Sequence, residues 1–203
     1  RKTPYMNTSC IEFFGYDGVN YTGEWDGSVL NNIKTSVDAY HPESWTMECF
    51  LKVRDQAFYK NMLIFGKGWD HNQFSWKVRT LNNCDKLEYI YSVSYNASNS
   101  SETKEVIATQ TVNIKDGKWH HLAVSYDNTT KTMKMYLDYE EILQAEQEEE
   151  LLLYKDMVYR CGRFCNERGF SGWMDEIRLS NTVLEPDEFI KLMPSEGLTI
   201  MFR

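Results

Sequence analysis

Three runs of alternating apolar and polar residues constrain this chain's fold more than anything else in it. In WTMECFLKV, residues 45–53, every odd position is apolar, and in LEYIYSVSY, 87–95, Leu87, Tyr89, Tyr91, Val93 and Tyr95 share one face. In KTMKMYLDY, 131–139, Met133, Met135 and Leu137 oppose Lys134, Tyr136 and Asp138. A period of two marks strands with one face on a core. Further strand candidates are 11–16, 61–66, 71–79, 104–113, 119–126, 157–162, 170–180 and 198–203. They are separated by turns such as Asp-Gly at 17–18, 26–27 and 116–117 and Asn-Asn at 82–83. One short helix is expected near 186–192, where Pro186 suits a first helical turn and acidic residues follow it. The stretch EILQAEQEEELLL, 141–153, reads as a solvated loop or frayed helix. Many short strands with one late helix predict an all-β, two-sheet antiparallel sandwich with a short C-terminal helix, built as a single domain over 1–203.

The formal net charge of −8 repels phosphate backbones and anionic membranes, which argues against a nucleic-acid partner. No apolar run approaches the roughly 18–20 residues that span a bilayer, so membrane insertion is not expected. Without an initiator Met or a signal peptide, the sequence reads as a piece of a larger protein with further domains. Five acceptor sequons, at Asn7, Asn20, Asn96, Asn99 and Asn128, point to an extracellular glycoprotein, secreted or the ectodomain of a cell-surface protein. Five cysteines leave at least one thiol unpaired or bonded elsewhere. Cys161 and Cys165, in CGRFC, are close enough to bridge; a zinc half-site is disfavoured because no second Cys/His pair stands nearby. Cys49, among apolar residues, reads either as a buried thiol or as a disulfide partner of Cys84.

Two longer stretches carry more than pattern. KWHHLAVSYDNTTKTMKMYLDYEEI, 118–142, supplies Trp119, His121, Leu122, Ala123, Tyr126 and Asp127. GFSGWMDEIRLSNTVLEPDEF, 169–189, supplies Gly172, Met174, Asp175, Glu176, Ile177, Arg178 and Leu184. With FFGYDGVNYTGEW at 13–25 and SWTMECFLKV at 44–53, these resemble the laminin G-like branch of the concanavalin A-like jelly rolls, a group also similar to the pentraxins. The resemblance covers roughly 11–192. Phe50 stands where the family usually has Trp, and the turn in DYEEI lacks the usual Gly. The resemblance implies a jelly roll of the kind found in secreted or cell-surface proteins, but no single activity, because the fold hosts lectins, adhesion modules and hydrolases.

Asp175 and Glu176 are adjacent on a strand and so point to opposite faces, which prevents them from flanking one glycosidic bond. The alternating Glu146, Glu148 and Glu150 have no apolar partner face and read as a solvated charge run. Asp175 shares its predicted face with Trp173, Ile177 and Leu179, where a carboxylate must be hydrogen-bonded, paired or bound to a cation. The resemblance implies a structural Ca²⁺ at Asp175, with Asp17 in YDGVN as the nominated partner; backbone hydrogen bonds without metal are the alternative. Glu176 is expected to form a surface pair with Arg178. His120 and His121 fall on opposite faces and cannot jointly clasp a metal, and His121 matches a structural position of the family. His41 and His71 have no evident partner. Trp69, Asp70, His71 and Asn72, in a loop between strands, are the candidate ligand-binding group: the Trp to stack on a sugar, the others to bond hydroxyls, unless Trp69 folds back onto the core. The expected function is non-catalytic extracellular recognition or adhesion, with a glycan or protein ligand. The alternative is a carbohydrate-binding accessory module or degenerate catalytic domain of a glycoside hydrolase.

Overall fold

The alternating runs pair into two antiparallel sheets. The computed structural model describes residues 11–14, 33–34, 42–55, 61–68, 74–81, 84–94, 104–148, 151, 157–163 and 169–191. Within them run β1 (Ile11–Phe14), β2 (Ile33–Lys34), β3 (Trp45–Val53), β4 (Leu63–Gly68), β5 (Phe74–Leu81) and β6 (Lys86–Ser94). Then follow β7 (Lys104–Thr111), β8 (His120–Asp127), β9 (Thr132–Leu137), β10 (Glu140–Glu146), β11 (Tyr159–Cys161) and β12 (Ser171–Ser180). The first sheet has the order β1-β12-β3-β8-β9-β10 and the second β2-β11-β4-β5-β6-β7. No helix among the described residues is long and apolar enough to cross a membrane.

The predicted apolar faces meet between the sheets. Trp45, Met47, Cys49, Leu51 and Val53 from β3, with Leu122, Val124 and Tyr126 from β8, face Trp76 and Val78 from β5 and Leu87, Tyr89 and Tyr91 from β6. Trp45 and Trp76 stack across the gap with centroids 4.1 Å apart and planes 20° from parallel. Each large side chain buried this way contributes about 1.5–3 kcal/mol from water exclusion. The outer face of the first sheet is covered as well: Leu184 and Phe189, beyond β12, pack on Ala123 and Tyr136. That cover explains why β3 is buried on both faces.

Four expectations about the strands, the helix and the cysteines need correction. The predicted helix is a single turn, with Glu188 N–H bonded to Glu185 O, because Ile190 N–H donates to the Glu48 carboxylate instead of continuing a helical ladder. The 141–153 stretch begins as a strand rather than a loop or frayed helix: β10 pairs with β9, and Ile142, Leu143 and Ala145 pack against the core. The Cys49–Cys84 bridge is absent. Cys49, Cys84 and Cys161 are free buried thiols. Burial pushes the Cys49 thiol well above its usual pKa and Cys161 to about 12, suppressing the thiolate that forms disulfides. Cys165 lies outside the described residues. The fourth correction concerns β12. Asp175 pairs with Phe50 but Arg178 with Glu48, so three steps on β12 oppose two on β3. The extra residue is Glu176, at φ +49°. The bulge keeps Asp175 with Trp173 on the outer face but turns Ile177 and Leu179 to the core.

Candidate ligand-binding cleft

The even residues of β3 point away from the core, which sets Glu48 on the outer face of the first sheet beneath the C-terminal segment. It is 0 % exposed. Its Oε1 accepts Arg178 Nε at 2.6 Å, with Arg178 Nη2 also in contact. Its Oε2 accepts His121 Nε2 at 2.8 Å and the Ile190 amide at 2.9 Å. Arg178 also donates to Glu188 O at 2.8 Å. A buried carboxylate is tolerable only with such donors. Glu48, His121 and Arg178, one from each of three family-like motifs, therefore form one clasp that holds the C-terminal segment down. Arg178 pairs with Glu48, not with Glu176 as expected, because the bulge turns Arg178 toward β3 and leaves Glu176 buried.

Next to this clasp the loop entering β8 and the turn joining β9 to β10 enclose a cleft of about 350 Å³. Phe50, Asp116, Lys118, Trp119, His120, His121, Asp138 and Tyr139 line it, and its size falls at the small end of ligand pockets. Asp138 and Tyr139 form a two-residue hairpin turn at φ +52° and +72°, a conformation that favours glycine. Their side chains offset the strain. Asp138 accepts the His121 amide at 3.0 Å and contacts His120 Nδ1 at 2.8 Å. The Tyr139 ring stacks on His121 at 4.6 Å, its hydroxyl donates to Ile190 O at 3.0 Å, and Lys191 Nζ lies 4.2 Å from its centroid.

On the other side, Asp116 Oδ1 accepts the Lys118 amide and contacts His120 Nε2, both at 2.9 Å, while Lys118 Nζ is 3.3 Å from Oδ2. His120 is thus bracketed by two carboxylates. Burial opposes its charge, but the hydrogen bonds it donates to Asp138 and Asp116 outweigh burial and raise its pKa. For Asp116 burial acts upward, and the bonds from His120 and Lys118 overcome it, pushing the carboxyl down to about 2. The cleft therefore presents carboxylate acceptors held at fixed angles.

Of the residues singled out in the sequence, Trp69, Asp70, His71, Asn72, Asp17, His41, Asn7, Asn20, Asn96 and Asn99 lie outside the described residues. Asn128 sits in the β8–β9 turn, its amide bonded to Ser44 Oγ at 2.9 Å. Asp175 is wholly buried, with Oδ1 accepting the Glu176 amide at 2.8 Å. Ile11, paired with Met174, is the described N-terminal residue nearest to it in register. No group of three or more His, Cys, Asp or Glu that could hold a metal occurs among the described residues. The sequence alone does not mark Asp116, Trp119, Asp138 and Tyr139 as a site; its one signal there is the missing glycine in DYEEI.

A family model described as the concanavalin A-like lectin/glucanases superfamily, Laminin_G_3, matches residues 26–189. No curated protein matches the chain. Among solved structures, a putative carbohydrate binding protein from Bacteroides ovatus has a TM-score of 0.61 at 18% identity, over 91% of this chain and 46% of its own. The CBM40 of Ruminococcus gnavus IT-sialidase, bound to α2,3 sialyllactose, has a TM-score of 0.58 at 16% identity, over 92% and 97%. Domains LG4-5 of the mouse laminin alpha1 chain have a TM-score of 0.52 at 13% identity, over 79% and 44%. The chain thus spans less than half the length of the Bacteroides and laminin structures. At such identities the likeness is one of fold, whereas the family match covers most of the sequence. This chain belongs to the Laminin_G_3 family of the concanavalin A-like lectin/glucanases superfamily.

Proposed function

We propose that the chain is a non-catalytic extracellular recognition module of a larger protein, taking a glycan or a protein ligand. The observation that carries this reading is how the polar groups are used. Glu48 is consumed in holding the C-terminal segment, and Asp116 and Asp138 are fixed by His120, yet an open, partly aromatic cleft remains beside them. Fixed acceptors beside aromatic walls suit binding. The Bacteroides protein named for carbohydrate binding and the sialyllactose-bound CBM40 share this fold, and the sequons favour an extracellular setting. A glycan array run beside a cell-surface protein screen should give saturable binding, with no reducing sugar released from a polysaccharide panel. Turnover abolished by replacing one carboxylate would make the module a glycoside hydrolase instead.

The same reading includes a structural calcium ion at Asp175. Full burial of its carboxylate fits a calcium ligand, with the remaining oxygens drawn from backbone carbonyls. The ion would supply charge compensation and a tie between strands, and no chemistry beyond that. Calcium at about 100 times its Kd should stabilise the fold by about 2.7 kcal/mol. For a chain of this size that raises Tm by about 5–10 °C. Asp175→Asn should lose the response. A wild-type melt identical in calcium and chelator would leave Asp175 as a hydrogen-bonded bulge residue.

A further inference from the structure

We infer that the cleft between the β8 entry loop and the β9–β10 turn is a neutral-saccharide site, with Trp119 as its stacking face and Asp116 and Asp138 as its hydroxyl acceptors. The inference rests on the recognition reading above and names the site and ligand class within it.

Trp119 carries the first part. Four tryptophans lie among the described residues; two have a ring partner and a third is covered by cations. Trp45 and Trp76 stack on each other, and Trp173 is covered by the Lys52 ammonium at 5.7 Å and the Arg54 guanidinium at 4.8 Å. Trp119 is partly exposed, lines the cleft, and has no ring or cation contact among the described residues. A tryptophan kept at the surface without a partner suits the apolar face of a pyranose ring.

The acceptors carry the second part. The Asp138 side chain is 52 % exposed although both of its oxygens already take protein hydrogen bonds. A carboxylate has about four acceptor positions, so each oxygen keeps capacity for a ligand hydroxyl. Because His120 clamps Asp138 from one side and Asp116 from the other, little ordering entropy is lost when a hydroxyl docks. His121 adds an unpartnered nitrogen in the wall. It is 1 % exposed, its Nε2 donates to Glu48, and its Nδ1 has no partner among the described residues. A hydroxyl can either donate to or accept from that nitrogen, so a bound saccharide would give it the partner it lacks.

Charge selects among saccharides. The one ammonium in the lining, Lys118, is already within 3.3 Å of Asp116, and both carboxylates face the cleft. An acidic sugar would meet two carboxylates whose neighbouring cations, Lys118 and His120, are already engaged with them, so neutral oligosaccharides are the better fit, with gluco-, xylo- and manno-oligosaccharides as the probes.

The test is titration of the whole chain, with its tryptophan indoles ¹⁵N-labelled, against neutral oligosaccharides of those three kinds and against sialyllactose. A neutral oligosaccharide should move the Trp119 indole signal most. Trp119→Ala should weaken binding about tenfold or more, the loss of one stacking contact of roughly 1.4 kcal/mol. Trp119→Phe, which keeps a stacking face, should recover most of the affinity, and unchanged melting of the variants separates a lost contact from a lost fold. Binding that leaves the Trp119 signal and the Trp119→Ala affinity unchanged overturns the site while the recognition reading stands. A preference for sialyllactose overturns the neutral class. If no saccharide binds the wild type, the site falls together with the glycan half of the recognition reading, and the protein screen decides the remainder.

Discussion

Gly172→Ala is expected to destabilise the fold by about 3 kcal/mol or more, lowering Tm by about 6–12 °C for a chain of this length. Gly172 pairs with Val53 where β12 enters the first sheet, at φ +152°. A Cβ there would stand 2.1 Å from Lys52 O and 3.1 Å from Lys52 C. Backbone in the middle of a sheet cannot move aside as a flexible side chain can, so β12 and β3 would have to separate. Gly117→Ala is the matched comparison. It also has a positive φ, +77°, but its nearest neighbour would be Asp55 Oδ1 at 3.8 Å. Only the left-handed backbone cost of about 1 kcal/mol is then expected. Equal melting temperatures for the two variants would mean that β12 does not approach β3 this closely.

Glu48→Ala should lose about 3–5 kcal/mol, the usual result of removing one partner of a buried ion pair. Arg178 retains some access to water, its side chain being 37 % exposed, which favours the lower end of that range. The variant should also have a local signature. The Ile190 amide and the Tyr139–Ile190 bond depend on the same clasp, so hydrogen exchange at Ile190 and proteolysis between Leu184 and Lys191 should accelerate before global unfolding. Glu48→Gln keeps the shape and part of the hydrogen bonding, and should fall between wild type and alanine. An Ile190 amide as protected in Glu48→Ala as in wild type would show that the clasp does not hold the segment.

The strands were legible because alternation at 45–53, 87–95 and 131–139 reports burial directly. Pairing, bulges and the outer face were not. The bulge at Glu176 adds one residue without altering composition, yet it reassigns Ile177 and Leu179 to the core and aims Arg178 at Glu48. The helix signal at Pro186 was real for a turn. It failed as a helix because Glu48, 142 positions away, takes the Ile190 amide. The candidate cleft was hidden for the same reason: Asp116 and Asp138 are 22 positions apart in the sequence and meet only through the β8–β9 pairing. The motif residues Glu48, His121 and Arg178 were visible as a resemblance, but their common purpose needed the register.

Tyr139 is bonded on one side to the C-terminal segment and forms, on the other, part of the cleft wall. A mechanical load reaching Ile190 would be shared between two anchors, its carbonyl on the Tyr139 hydroxyl and its amide on the Glu48 carboxylate of β3. Tension on that segment would therefore reach the cleft rim through Tyr139 at the same moment as it reaches the sandwich through Glu48.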